Sequence, residues 1–235
     1  MFYIDWFYII LVLPFIVLSL VASARVNSSF KKYSEVFSKR GLSASEAARR
    51  VLEGNGVSGV KIERVQGHLT DHFDPRSNII RLSENVHDSS SVAAIGVACH
   101  EAGHAVQHAK GYIPVKIRTA IVPVTNFGSK LSIPLIFIGI ALSYLGEIYS
   151  YMAYIGVALF GLCVIFQLVT LPVEFNASRR ALNALSLYKL LDRTELSGAK
   201  KVLSAAAMTY VAALAVSVMQ LLRLLLLVGG TRRRR

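Results

Sequence analysis

The sequence predicts an α+β protein, mainly helical and integral to a membrane, with a short β-sheet in a small water-facing part. Three features point there. The 235 residues are 54% apolar and 17% charged, with a mean hydropathy of +0.50, which excludes a disordered chain and an ordinary soluble domain. The apolar excess sits in residues 3–24, 131–171 and 206–228, the outer two about one helical crossing long and the middle one about two. The remaining residues carry the charges and contain capped helical segments and short β-branched runs, enough for one modest domain outside a bilayer.

Residues 1–24 are expected to be an N-terminal anchor. Ala22-Ser23-Ala24 spells a signal-peptide cleavage site, but Asp5, the lack of Lys or Arg ahead of the apolar run, and the length of that run favour an uncleaved helix. Residues 25–130 form the first water-facing segment. Ser43 followed by Glu46 is a capping box that opens a helix over 44–53, stopped by Gly54, Asn55 and Gly56. Val57–Val65 is expected to be a strand, Gln66–Thr70 a turn, and Asn78–Leu82 a second strand after the Asp74-Pro75-Arg76-Ser77 turn. Ser89–Ser91 cap a helix from Val92 to Lys110, with Gly111 as its stop.

Residues 131–171 supply two crossings joined near Tyr144–Ser150, and no Lys or Arg occurs from Leu131 to Ser178. Pro172 suits the first turn of a further helix reaching about Leu191, which opens a second water-facing segment, residues 172–205. Residues 206–235 hold the last apolar helix and the Arg232–Arg235 tail. Gln220 and Arg223 interrupt that helix, which leaves open whether it crosses fully or lies shallow.

The net charge of +12 is explained by loops. Residues 25–130 hold 15 Lys and Arg and residues 172–201 hold 6, while the turn at Glu147 holds none. Both water-facing segments are therefore expected in the cytoplasm, with the amino terminus outside. If the last helix crosses, the arginine tail contradicts that rule. No aromatic-interleaved basic module accompanies these cations, so a lipid bilayer, and not a nucleic acid, is the expected partner. The two cysteines, Cys99 and Cys163, form no disulfide framework or metal knuckle. Nothing in the sequence assigns an oligomeric state.

His100-Glu101-Ala102-Gly103-His104 spells H-E-x-x-H inside the expected 92–110 helix. Residues four apart share a helical face, so both imidazoles can meet one Zn²⁺ while Glu101 stays free to act as a general base and not as a ligand. Zinc lowers the pKa of water to about 7, so a nearby carboxylate can take its proton as the water attacks a carbonyl. The pattern calls for a small zincin-like catalytic domain. A third ligand is needed. His108 continues the face but lies roughly 12 Å along the axis from His100, and the metzincin spacing is absent. Glu174 is the better candidate, an acid standing apart where a helix leaves an apolar stretch. A first-turn glutamate stabilised by the helix dipole would look the same.

His100–His108, Thr70–Arg76, Ile80–Ser83, Glu174–Arg180 and Thr209–Ala213 together resemble the YugP-type membrane zinc metallopeptidases over nearly the whole chain. The resemblance implies a gluzincin with His100, His104 and Glu174 as zinc ligands, Glu101 catalytic, and a peptide or membrane-protein substrate. More distantly the chain resembles the HtpX and CAAX-processing peptidases, which implies a role in membrane protein quality control. Those relatives carry an Asp four residues after the glutamate ligand, where this chain has Ser178. That leaves Ser178, Asn176 and Arg179 as alternatives for supporting a ligating histidine.

Asp71, His72, Asp74 and His68 resemble a second metal site, but exposed turn polar groups explain them more simply. Tyr210 is either an oxyanion donor or a packed helix residue. Asn78–Leu82 is a candidate edge for an added substrate strand. An intramembrane protease would need the H-E-x-x-H helix to cross lipid, for which residues 92–110 are too polar. A non-catalytic zinc scaffold would need a fourth ligand, and none is evident.

Overall fold

The computed structural model describes residues 5–67 and 70–233, the last three by backbone alone. Its residues divide into two units. One comprises Ala22–Lys116 and Pro172–Thr209, the other Met1–Val21, Ile117–Leu171 and Tyr210–Arg235.

The first unit is built around a small sheet, a short amphipathic helix and a longer, mostly buried one. Helix α1 (Leu13–Ser34) enters it, followed by α2 (Ala44–Gly54). Ser43 Oγ accepts from the Glu46 N–H at 3.2 Å, the expected cap, and Gly56 turns the chain at φ +70°. The strands are β1 (Lys61–Val65), β2 (His72–Asp74) and β3 (Ile79–Ser83), in the order β1-β3-β2. β1 runs parallel to β3 and β2 antiparallel to it, with Phe73 opposite Ile80. A short α3 (Glu84–His87) leads to α4 (Val92–Ala109), whose N-cap Ser91 accepts from the Ala94 N–H. Gly111, at φ +62°, ends that passage as expected.

Two strand expectations change. The first strand is shorter than Val57–Val65, and a strand at 72–74 was not anticipated. Three residues carry too little alternation to read from sequence. β2 forms because Asp74 accepts from Ser77 Oγ, the Arg81 guanidinium and the Arg76 N–H, and these donors hold its carboxyl below the usual carboxylate range. β3 is therefore central, not an edge: β1 pairs along its whole length and β2 over Ile79–Arg81, which takes up the side an added substrate strand would need there.

Ile80 and Leu82 of β3, Val51 and Leu52 of α2, and Ile95, Ala98 and Cys99 of α4 share one core. Each large aliphatic side chain there contributes about 1.5–3 kcal/mol by leaving water. Burial also pushes the Cys99 thiol pKa up. At the start of the last helix, Asp192 and Glu195 form a second capping box. Asp192 Oδ1 accepts from the Glu195 N–H at 2.8 Å and Glu195 Oε2 from the Asp192 N–H at 2.7 Å.

The second unit is made from parts of four long helices. Tyr8–Ser34, Ile113–Ala141, Glu147–Leu187 and Arg193–Gly230 are each long and apolar enough to cross a membrane. α5 (Ile113–Ala141) begins well before residue 131, and the turn to α6 (Glu147–Leu187) is a short 3₁₀ segment, Ser143–Leu145. Gly156 lets α6 approach α5 closely: a Cβ there would lie 2.7 Å from the Ser132 carbonyl oxygen. α7 (Arg193–Arg233) is uninterrupted. Arg223, awkward in sequence, is paired: its Nη2 and Nε lie 2.6 and 3.0 Å from Asp5 Oδ2, with the Tyr8 ring 5.2 Å from the guanidinium. This ion pair sets the end of α7 beside the start of the first helix, so the polar residue is matched in place.

A helix beginning at Pro172 is not formed. Pro172 lies inside α6, which continues to Leu187 and stops short of Leu191. Val173, Ala177, Ala181 and Leu185 form a fully buried stripe at helical spacing, and that packing outweighs one missing N–H. Glu174 is thus a helix-interior residue, and the helix-dipole explanation for it falls away.

Candidate metal centre

The centre lies where α4 and the latter part of α6 meet. Its closeness depends on Gly103, whose Cβ, if present, would stand 2.6 Å from the Ala177 carbonyl oxygen of α6. With no side chain in the way, the α4 face carrying His100 and His104 rests against the α6 face carrying Glu174 and Ser178. Gly103→Ala is expected to cost about 1–3 kcal/mol through overpacking. It should also weaken zinc binding about tenfold or more, the scale seen when support of a ligand is lost. Chelator competition measures the second effect. Unchanged affinity would show that the close approach is not needed.

Three donor atoms converge. His100 Nε2 and His104 Nε2 are 3.1 Å apart, and Glu174 Oε2 is 3.4 and 3.5 Å from them. Around a tetrahedral zinc with bonds of about 2.0–2.1 Å, neighbouring donors stand about 3.3 Å apart. The residues present therefore fit such an ion. The two rings meet edge to face, centroids 4.7 Å apart, and the Glu174 side chain is only 4% exposed. A carboxylate buried that deeply needs cationic or metal partners. Among the described residues this is the one cluster of three or more His, Cys, Asp or Glu able to hold a metal.

Each histidine is also held from behind. His100 Nδ1 is in hydrogen-bonding contact with Ser178 Oγ at 3.0 Å, and His104 Nδ1 with Gln107 Oε1 at 3.0 Å. Gln107 Nε2 donates to the Val173 carbonyl oxygen at 2.8 Å and to Asn176 Oδ1 at 3.0 Å. Among the three alternatives for this role, Ser178 meets a histidine directly, Asn176 acts through Gln107, and Arg179 is exposed. Gln107 was missed in sequence. Its one signal is its place three residues after His104, on the same helical face.

Burial in this interface depresses the His104 pKa. The hydrogen bond that the ring donates to the Glu174 carboxylate, the charges of Glu101 and Glu174, and the Gln107 contact outweigh it, so the metal-free imidazole holds its proton above the ordinary histidine range.

Glu101 is buried and lies outside this cluster. Its Oε2 accepts from the Phe73 N–H of β2 at 2.9 Å. His108 does not join the cluster; its ring packs on Phe73, centroids 5.8 Å apart. Asp71 is taken up by Ser83, whose N–H and Oγ donate to it at 2.7 and 3.1 Å, and His72 Nδ1 contacts the Thr70 carbonyl oxygen at 2.7 Å. With Asp74 also filled by donors, no second metal site forms there among the described residues. His68 lies outside them. Tyr210 belongs to the apolar unit and is 40% exposed.

Comparison with known proteins agrees with this chemistry. Over residues 8–229 the chain matches the family described as "Putative neutral zinc metallopeptidase". It is 45% identical over 220 residues to the "Putative membrane protease YugP" of Bacillus subtilis (strain 168), covering 94% of this chain and 96% of that one. No solved structure matches.

Proposed function

The chain belongs to the family described as "Putative neutral zinc metallopeptidase", and we propose that it is a membrane-bound zinc endopeptidase of the gluzincin type. In this reading His100, His104 and Glu174 hold the ion and Glu101 is the general base. The observation that carries it is the triangle of donor atoms with sides of 3.1, 3.4 and 3.5 Å.

When bound, the ion supplies Lewis-acid activation of water and of the peptide carbonyl. Glu101 takes the proton of the attacking water and returns it to the departing amine. The Phe73 N–H orients its carboxylate without protonating it. A cluster of three protein donors favours turnover over a scaffold role, since structural zinc is normally closed by four. Four apolar helices and the name of the Bacillus relative support the membrane setting. The cation-rich segments 25–130 and 172–201 support a cytoplasmic face for the site. Peptide segments of membrane or misfolded proteins are the substrate class, in line with the resemblance to HtpX peptidases.

Purified full-length protein in detergent micelles should bind one zinc, cleave an unfolded protein substrate, lose cleavage on chelation and regain it with zinc. Loading should weaken as pH falls. The raised His104 pKa means that the protonated, Glu174-paired state is favoured at low pH and lost as pH rises through that value. Zinc requires the neutral ring and so follows the opposite direction. Cleavage indifferent to chelation, or loading that rises on acidification, would defeat the proposal.

A further inference from the structure

The hydrogen bonds behind His104 have a direction that the donors and acceptors themselves dictate. Arg180 has donors only. Its Nε lies 2.7 Å from Asn176 Oδ1, which is therefore an acceptor, and the orientation of that amide is settled. The same oxygen lies 3.0 Å from one end of the Gln107 amide, and that end also faces the Val173 carbonyl oxygen at 2.8 Å. Two acceptors require a donor between them, so this end is Nε2. The other end, Oε1, faces His104 Nδ1 at 3.0 Å. Oε1 can only accept, so Nδ1 carries the proton and the neutral ring keeps a lone pair on Nε2. That Nε2 is the atom lying 3.5 Å from Glu174 Oε2 and 3.1 Å from His100 Nε2.

Burial makes the arrangement one-way. Gln107 is 0% exposed and Asn176 8%, so out of reach of water a reversed Asn176 amide would set a donor against donors and a reversed Gln107 amide an acceptor against two acceptors. The outer end is anchored as well. The Arg180 guanidinium lies 5.9 Å from the centre of the Tyr112 ring, and the Tyr112 N–H donates to the Gln107 carbonyl oxygen at 3.0 Å.

We infer that Arg180, Asn176 and Gln107 form a directional relay that locks His104 as the Nδ1–H tautomer, and that Arg180, three hydrogen bonds from the ring, is a positioning residue for zinc loading. The second half of that statement rests on His104 being a zinc ligand. The tautomer does not.

The test uses full-length protein in detergent micelles, labelled with ¹⁵N-histidine, stripped of zinc and held at alkaline pH where the ring is neutral. His104 signals are assigned by their loss in His104→Asn. Wild-type His104 should show a protonated Nδ1 and a bare Nε2, whereas Gln107→Met and Arg180→Met should shift the proton toward Nε2. In chelator competition, Gln107→Met and Asn176→Leu should weaken zinc binding about 10–100-fold, the cost of losing an outer partner of a metal ligand. Arg180→Met, at the half-buried end of the relay, should cost about tenfold. Asn176→Asp keeps an acceptor for both Arg180 and Gln107 and should stay near wild type, a rescue that mere packing would not give. A wild-type Nε2–H ring, full zinc affinity in Arg180→Met and Asn176→Leu, or Asn176→Asp as weak as Asn176→Leu would overturn the relay. A wild type that shows Nδ1–H but binds no zinc would overturn the proposed enzyme and leave the relay standing.

Discussion

Glu101→Gln is expected to keep its zinc and lose peptide cleavage, with kcat falling about 10²–10⁴-fold, the range that a positioned general base contributes. The substitution is nearly isosteric, and the new amide oxygen still accepts from the Phe73 N–H that holds Glu101 Oε2 at 2.9 Å. Geometry is thereby retained while the group proposed to take the proton is removed. The metal is unaffected because Glu101 is outside the converging donor set. Zinc content by atomic absorption and turnover of an unfolded protein substrate, measured on the same preparation, separate the two effects. Cleavage within about tenfold of wild type would remove Glu101 from the reaction, and loss of zinc would mean that it ligates after all.

Glu174→Ala is expected to abolish stable zinc binding. The fall in affinity should exceed the ~10–100-fold that loss of an outer partner costs, because on the proposed assignment a ligand itself is lost. Glu174 Oε2 is the atom that completes the triangle with His100 and His104, and the two remaining imidazoles sit on one helix with no other carboxylate in the cluster. Glu174→Gln, which fills the same buried volume with a neutral amide, controls for the cavity. It should also lose zinc. His108→Ala should bind as wild type, since the His108 ring packs on Phe73 outside the cluster. Equal zinc affinity in wild type and both Glu174 variants would end the three-ligand assignment.

What could be read from the residues alone is what depends on neighbours along the chain. The i, i+4 relation of His100 and His104 follows from helical periodicity. The Ser43 and Ser91 caps and the stop at Gly111 follow from local backbone chemistry and appear as expected. Among the described residues the apolar stretches are carried by long helices, one for each outer stretch and two, joined at the Ser143–Leu145 turn, for the middle one, because length and hydropathy are properties of the segment itself. Glu174 was singled out by its isolation in sequence, but spacing alone could not tell a ligand from a first-turn glutamate.

Folding in three dimensions answered what no local pattern holds. Pro172 was expected to start a helix, yet buried Val173, Ala177 and Ala181 carry α6 through it. β3 becomes the central strand because a three-residue partner, too short to show periodicity, is held in place by Asp74 and its donors. Gly103 mattered only once the Ala177 backbone stood against it. Gln107, Asn176 and Arg180 have meaning only as a chain of donors and acceptors joining α4 to α6. The division has one cause: backbone propensity acts over a few residues, whereas convergence of groups some seventy positions apart is set by which side chains can share a buried interface with every polar atom matched.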